Sequence, residues 1–177
     1  TQFRITTGLR INGPKDDAAT FAIAQNMRGD IAGMSAVKTN LSLGQSVTNV
    51  AIDAGKAIAS LLTEMKAKTV QASQTGLDTD SYIALQQEFT SLRSQIDSIV
   101  ATAEFNGTNL IKSGATDLSI LSTVDGSTIV VTKQEMASSN LGITAADLGN
   151  ATKAATALTA VSQAIITLSN SLASLGS

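Results

Sequence analysis

A stripe of apolar residues spaced by threes and fours runs through the N-terminal part of this chain and constrains its fold more than any other feature. Ile23, Met27, Ile31, Met34, Val37 and Leu41 lead into Val47, Val50, Ala54, Ile58, Leu61 and Met65. Within each run that period sets the residues on one narrow helix face, the spacing of a coiled-coil seam. Upstream, Gly8, Gly13 and Pro14 make residues 1–14 an irregular leading segment. Pro14 followed by Lys15, Asp16 and Asp17 reads as a helix start, with acids at the positive end of the dipole. The pattern persists to about Gln74, predicting a rod on the order of 80–90 Å long at roughly 1.5 Å per residue. Gly29, Gly33, Gly44 and Gly55 each weaken the helix by about 1 kcal/mol relative to Ala. They permit close helix approach; one long helix is expected, with Gly29 or Gly33 as the place where a break would fall.

Gly76 closes this helix, and Asp78 to Asp80 forms a turn and N-cap. A second helix carries Tyr82, Leu85, Phe89, Leu92, Ile96, Ile99 and Ala103, spaced 3-4-3-4-3-4. The short connection makes it antiparallel to the first. Phe105-Asn106-Gly107 ends it with a strong turn dipeptide. Leu118–Val124 and Ser127–Lys133 flank Asp125-Gly126, a type I′ hairpin signal that sets Ile120 opposite Val131. After loops at Gly142 and Gly149, a last helix starts near Asn150 and carries Leu158, Val161, Ile165, Leu168, Leu172 and Leu175. The expected fold is mainly α with a small β part: an elongated antiparallel three-helix bundle with a β-hairpin appendage. We read one domain over 1–177, with two long helices in 15–104, a hairpin region with loops in 105–149 and the C-terminal helix in 150–177.

Composition limits the core and the partners. The chain is 43% hydrophobic but only 3% aromatic, without Trp and with Tyr82 as its one tyrosine, so the core must be Ala, Leu, Ile and Val in closely packed helices. Charge is 15%, with a net charge of −2, which offers nothing to neutralise nucleic acid. Ser, Thr, Asn and Gln cover the surface and are cheaper to desolvate than charges, which suits burial against other subunits. With neither Cys nor His, disulfides, thiolate chemistry, His catalysis and His- or Cys-based zinc sites are excluded. No charge follows Lys153, but interrupting Thr, Ser, Gln and Asn residues mark a protein-buried helix, not a membrane span. No signal segment is read at the start.

No catalytic or cofactor site emerges. Gly55-Lys56 lacks the upstream P-loop glycine, since Val50 stands there. Asp78 and Asp80 fit a helix cap better than half a calcium loop. Asn106-Gly107-Thr108 matches a glycosylation acceptor, although a turn explains it fully. Asp16-Asp17 fits a capped helix start with Arg10 or Lys15 as ion partners better than an acid–base pair. Phe89 and Phe105 are expected in the core, with Met27, Met34 and Met65 as stripe filler.

Thr7-Gly8-Leu9-Arg10-Ile11-Asn12-Gly13-Pro14-Lys15-Asp16-Asp17-Ala18-Ala19 resembles the flagellin signature S-G-L-R-I-N-S-A-K-D-D-A-A, and Ala22-Ile23-Ala24 continues it. Asn40 to Ser46 is loosely similar to N-x-x-x-G-x-S, and Glu104 to Leu110 is similar to E-F-N-G-x-x-L. Two motifs in order, with matching helices between them, identify the chain as resembling the inner core domain of bacterial flagellin, most weakly over 115–151. The resemblance implies a structural, non-enzymatic subunit of the flagellar filament, extracellular and exported without a cleaved signal peptide. Other flagellin subunits are the implied partners, with hook-associated proteins and an export chaperone beside them, and with neither nucleic acid nor membrane insertion. It also implies that Arg10, Asn12, Lys15, Asp16 and Asp17 contact neighbouring subunits. Flagellins carry further apolar segments at both ends that pair as a coiled coil. This chain is expected to lack them, along with any large outer domain, and to be a soluble monomer.

Leu62-Thr63-Glu64 aligns with the start of the family's L-Q-R-V-R-E-L-A-V-Q, where members sensed by Toll-like receptor 5 carry Arg at the third position. Glu64 inverts that charge and Thr63 replaces Gln, so weak or absent receptor sensing is expected. A hook–filament junction protein shares part of the signature, though Lys15 to Ala19 favours flagellin. A polysaccharide-binding surface protein on the same scaffold would need aromatic platforms, and this chain has five aromatics in all.

Overall fold

The computed structural model describes residues 18–177, and all structural statements refer to these. The elements are α1 (Ala18–Ala72), α2 (Thr79–Thr102), β1 (Leu118–Leu121), β2 (Thr128–Val131) and α3 (Ala151–Gly176). The chain divides into two compact units. One holds 18–43 with 120–129, and the other holds 44–119 with 130–177.

The larger unit is a three-helix bundle formed by the later part of α1 with α2 and α3. Its core joins Val47, Ala51, Ile58, Leu62 and Met65 of α1 to Leu85, Phe89, Leu92, Ile96 and Val100 of α2, and to Ala154, Ala157, Val161, Ala164, Leu168 and Leu175 of α3. Lys68 pairs with Glu88, Gly55 packs on Leu172, and the Leu148 amide bonds Gln86, so α2 and α3 both run against α1. The crossover 103–150 is long enough to return the chain to the start of the bundle before α3 begins.

α2 and α3 are capped at their starts as polar residues before an apolar run dictate. Asp78 accepts the Ser81 amide at 2.7 Å and Asn150 accepts the Lys153 amide at 2.9 Å. α3 buries Ala154, Ala157, Val161, Ala164, Leu168, Ser171 and Leu175, a face rotated from the expected stripe, while Leu158, Ile165 and Leu172 are half-buried on its flank. Small residues let helices approach closely. At Gly55 an added Cβ would stand 2.5 Å from Leu172 Cδ2. By length and composition alone α3 could cross a membrane, with mean hydropathy 1.2, yet its buried face belongs to the bundle core.

In the smaller unit the hairpin tip meets α1 where Gly33 has no side chain, since a Cβ there would lie 2.8 Å from Val124 Cγ1. α1 passes Gly29 and Gly33 unbroken, the one long helix expected. Two glycines at about 1 kcal/mol each do not overcome the cooperativity of a 55-residue helix.

The hairpin differs in detail from the sequence reading. A type I′ turn needs positive φ at both central residues, and at Asp125-Gly126 only Gly126, at +95°, has it. The Gly126 amide bonds the Thr123 carbonyl and the Ser122 amide bonds the Ser127 carbonyl, a four-residue loop. In this register Leu118 faces Val131 and Ile120 faces Ile129, in place of the expected Ile120–Val131 pair. The tight turn lies instead at Asn106 (φ +50°) and Gly107 (φ +79°), where Phe105 and Thr108 exchange two backbone bonds of 3.0 Å.

Candidate functional site

On the outward faces of the helices many Ser and Thr hydroxyls are satisfied internally. Ser and Thr hydroxyls can bond the carbonyl one turn back on their own helix. Thr63 bonds Ala59, Ser94 bonds Thr90, Ser98 bonds Ser94, and Thr102 bonds Ser98. On α3, Thr156 bonds Thr152, Thr159 bonds Ala155 and Ser169 bonds Ile165. Large apolar residues stand exposed among them, including Ile83 on α2 and Ile166 on α3. In the smaller unit Ile23, Met27, Ile31 and Met34 form a row along α1, each 59–65% exposed.

These exposures correct part of the sequence reading. Met27 and Met34 are not core filler, whereas Met65 is fully buried. Phe89 is buried as expected, but Phe105 is 41% exposed beside the tight turn. The proposed contact residues Arg10, Asn12, Lys15, Asp16 and Asp17 lie outside the described residues. Of the receptor-facing candidates, Leu62 is buried in the bundle core, while Thr63 and Glu64 are exposed.

The crossover is held by side chains, a feature the sequence reading missed. One face of α2 carries Gln86, Arg93 and Asp97, at spacings of 7 and 4. Gln86 Oε1 accepts the Leu148 amide at 2.6 Å, and Arg93 Nη1 donates to the Thr144 carbonyl at 2.6 Å. Asp97 accepts both the amide (2.9 Å) and the hydroxyl (2.8 Å) of buried Ser138. Within the crossover, Glu135 accepts from Lys133, the Gly114 amide and Asn140. The Lys133 bond, then the Gly114 amide, hold its carboxyl below the ordinary value of 4.5. Lys153 and the Gly149 amide lower Asp147 in the same way. The signal was present: polar residues at helical spacing on α2, beside a long segment with little secondary structure of its own.

Among the described residues no cluster of acidic side chains could hold a metal ion. The arrangement is that of a helical bundle with exposed outward faces. A family model for the bacterial flagellin N-terminal helical region matches residues 1–116. Flagellin FljM of Caulobacter vibrioides is 41% identical over 176 residues, covering 99% of this chain and 64% of that protein. The flagellin of Shigella flexneri is 34% identical over 94% of this chain and 30% of its own length. A crystal structure of Bacillus cereus flagellin has the same fold, with a TM-score of 0.66 over 74% of this chain and 77% of that one, at 23% identity. The chain belongs to the flagellin family. It spans 64% of the length of its Caulobacter relatives.

Proposed function

We propose that this chain forms the core of a structural subunit of the bacterial flagellar filament, self-assembling for motility and not catalytic. The observation that carries this reading is the outward helix surface, where hydroxyls are bonded to their own backbone among exposed Ile and Ala residues. Such hydroxyls can be dried against another copy without being stranded as unpaired donors, the main penalty for burying polar groups. The filament is extracellular, and the subunit reaches it without a cleaved signal peptide. Its partners are other subunits, with hook-associated proteins and an export chaperone during delivery. The leading segment bearing Arg10, Asn12, Lys15, Asp16 and Asp17 supplies further subunit contacts.

The test is to seed the full-length protein with filament fragments and follow pelleting and electron micrographs. Long tubes growing from the seeds are expected. Failure to elongate any seed overturns the reading, and a single layer added at seed ends identifies a junction protein instead.

A second proposal concerns receptor sensing. Glu64 stands exposed beside Thr63 on α1, and its charge is opposite to that of the Arg in sensed relatives, so Toll-like receptor 5 should respond weakly or not at all. Full-strength reporter activation by the intact protein would falsify this.

A further inference from the structure

The tight turn after α2 carries reactive chemistry that the assembly reading does not use. An asparagine followed by glycine is the backbone pair best suited to cyclise, because no side chain hinders attack by the glycine nitrogen on the asparagine side-chain carbon. Asn106 is exposed, and a Cβ built at Gly107 would meet nothing within 4 Å. Neighbouring atoms therefore leave the reaction unobstructed.

The backbone conformation does obstruct it. Positive φ at both residues and the paired bonds between Phe105 and Thr108 define a type I′ turn. In the mirror image of a type I turn, ψ of the first central residue is about +30°. That angle turns the Gly107 nitrogen away from the Asn106 Cβ. Ring closure needs the nitrogen on the Cβ side, and the rotation that brings it there breaks both hydrogen bonds.

We propose that Asn106–Gly107 is a latent modification site at which ammonia is lost only when this turn opens. In the open turn the Gly107 nitrogen gives up its proton to solvent base and bonds to the Asn106 side-chain carbonyl carbon. The carbon–NH2 bond breaks, and the nitrogen takes up a proton and leaves as ammonia, closing a cyclic imide. Water then opens the ring. Cleavage at the side-chain carbonyl leaves aspartate at position 106, and cleavage at the main-chain carbonyl leaves isoaspartate, with the chain routed through the side chain. One water is consumed and one ammonia released, with no redox change.

The isoaspartyl product adds an atom to the backbone of a two-residue turn, so the Phe105–Thr108 pair cannot re-form. That pair adjoins the corner where α2 ends. Buried Asn109 donates to the Val100 carbonyl at 2.7 Å and accepts the Ile111 and Lys112 amides at 2.9 and 3.0 Å. Modification at 106 therefore loosens the junction from which the crossover departs.

The experiment is timed peptide mapping by mass spectrometry, separating asparagine, aspartate and isoaspartate at position 106. The intact protein is incubated at mildly alkaline pH beside the same chain held unfolded in urea. Mapping also separates this pair from Asn12-Gly13, which lies outside the described residues. A Thr108→Pro variant, which loses one turn donor, is included after circular dichroism confirms its helices. Conversion is expected fastest in the unfolded chain, intermediate in the variant and slowest in the native protein. The native protein should trail the unfolded chain by about tenfold or more, since only the open fraction reacts. Equal native and unfolded rates overturn the proposal, as does an absence of conversion at position 106 in the unfolded chain. The native-to-unfolded comparison decides the matter even if Thr108→Pro does not fold.

Discussion

Within the single helix α1, the residues before Gly44 and those after it carry apolar stripes of similar spacing, yet the two are treated differently. Ile58, Leu62 and Met65 are fully buried, whereas Ile23, Met27, Ile31 and Met34 stand in solvent. Helical spacing gathers apolar residues on one side but does not say what will cover them. In the larger unit α2 and α3 supply that cover. In the smaller unit the hairpin tip meets α1 at Gly33, a quarter turn or more around the helix from Met27, Ile31 and Met34.

Paired substitutions turn this contrast into numbers. Leu62→Ala should destabilise the protein by about 2–5 kcal/mol in urea denaturation, through lost burial and a residual cavity. Ile31→Ala, at a 65% exposed site, should stay within about 0.5 kcal/mol of the parent. Equal losses at the two sites would mean that the exposed row is covered in solution. The glycines give a second pair. Gly55→Ala drives a methyl into Leu172 and should lose about 1–3 kcal/mol through overpacking. Gly29→Ala meets nothing within 4 Å and should gain up to about 1 kcal/mol of helix propensity. Thermal or urea midpoints of the two variants should therefore move in opposite directions.

The same contrast shows how far the sequence could be read. Helix number, the end of α1 and the caps of α2 and α3 followed from periodicity and from Asp78 and Asn150, because those signals are local; the helix start expected at Pro14 to Asp17 lies outside the described residues. Which face of α3 is buried did not follow, because Ala154, Ala157 and Ala164 contribute through the closeness they allow, whereas the pattern is dominated by Leu158 and Ile165. The hairpin was legible as a hairpin, but Asp125-Gly126 and Asn106-Gly107 look alike as dipeptides. Only the backbone shows that positive φ at both residues occurs at Asn106-Gly107. The outward surface was legible in its Ser and Thr content. That its hydroxyls turn inward to their own carbonyls depends on helix geometry, which composition does not encode. The proposed contacts from Arg10 to Asp17 rest on the resemblance and family membership alone.

The crossover offers a finer comparison with the bundle, since polar clips to α2 add to the burial of its own Leu110, Ile111, Met136, Ile143 and Leu148. Asp97→Ala leaves the amide and hydroxyl of Ser138 without their partner. It should cost about 1–2 kcal/mol, less than a core truncation. Amide exchange should rise at Ser138 while amides inside α3 remain protected. Equal acceleration in both would show that crossover and bundle open as one.

Acid should reach the same distinction with the smallest effect. Asp78, Glu135 and Asp147 all have carboxyls held below their ordinary values, each mainly by a bond to the charged form: Ser81 for Asp78, Lys133 for Glu135 and Lys153 for Asp147. A lowered folded value means that the unfolded chain binds protons more readily, so stability rises with pH through this window. The contribution is complete above about pH 5 and is lost as pH falls through the lowered folded values. Two of the three groups, Glu135 and Asp147, lie in the crossover, so the Gly114 and Gly149 amides should lose exchange protection on acidification before the core of the bundle does. In Glu135→Gln the Gly114 amide should already be less protected at neutral pH and should change little on acidification. A Gly114 amide with the same acid response in the parent and in Glu135→Gln would show that Glu135 is not what holds that end of the crossover.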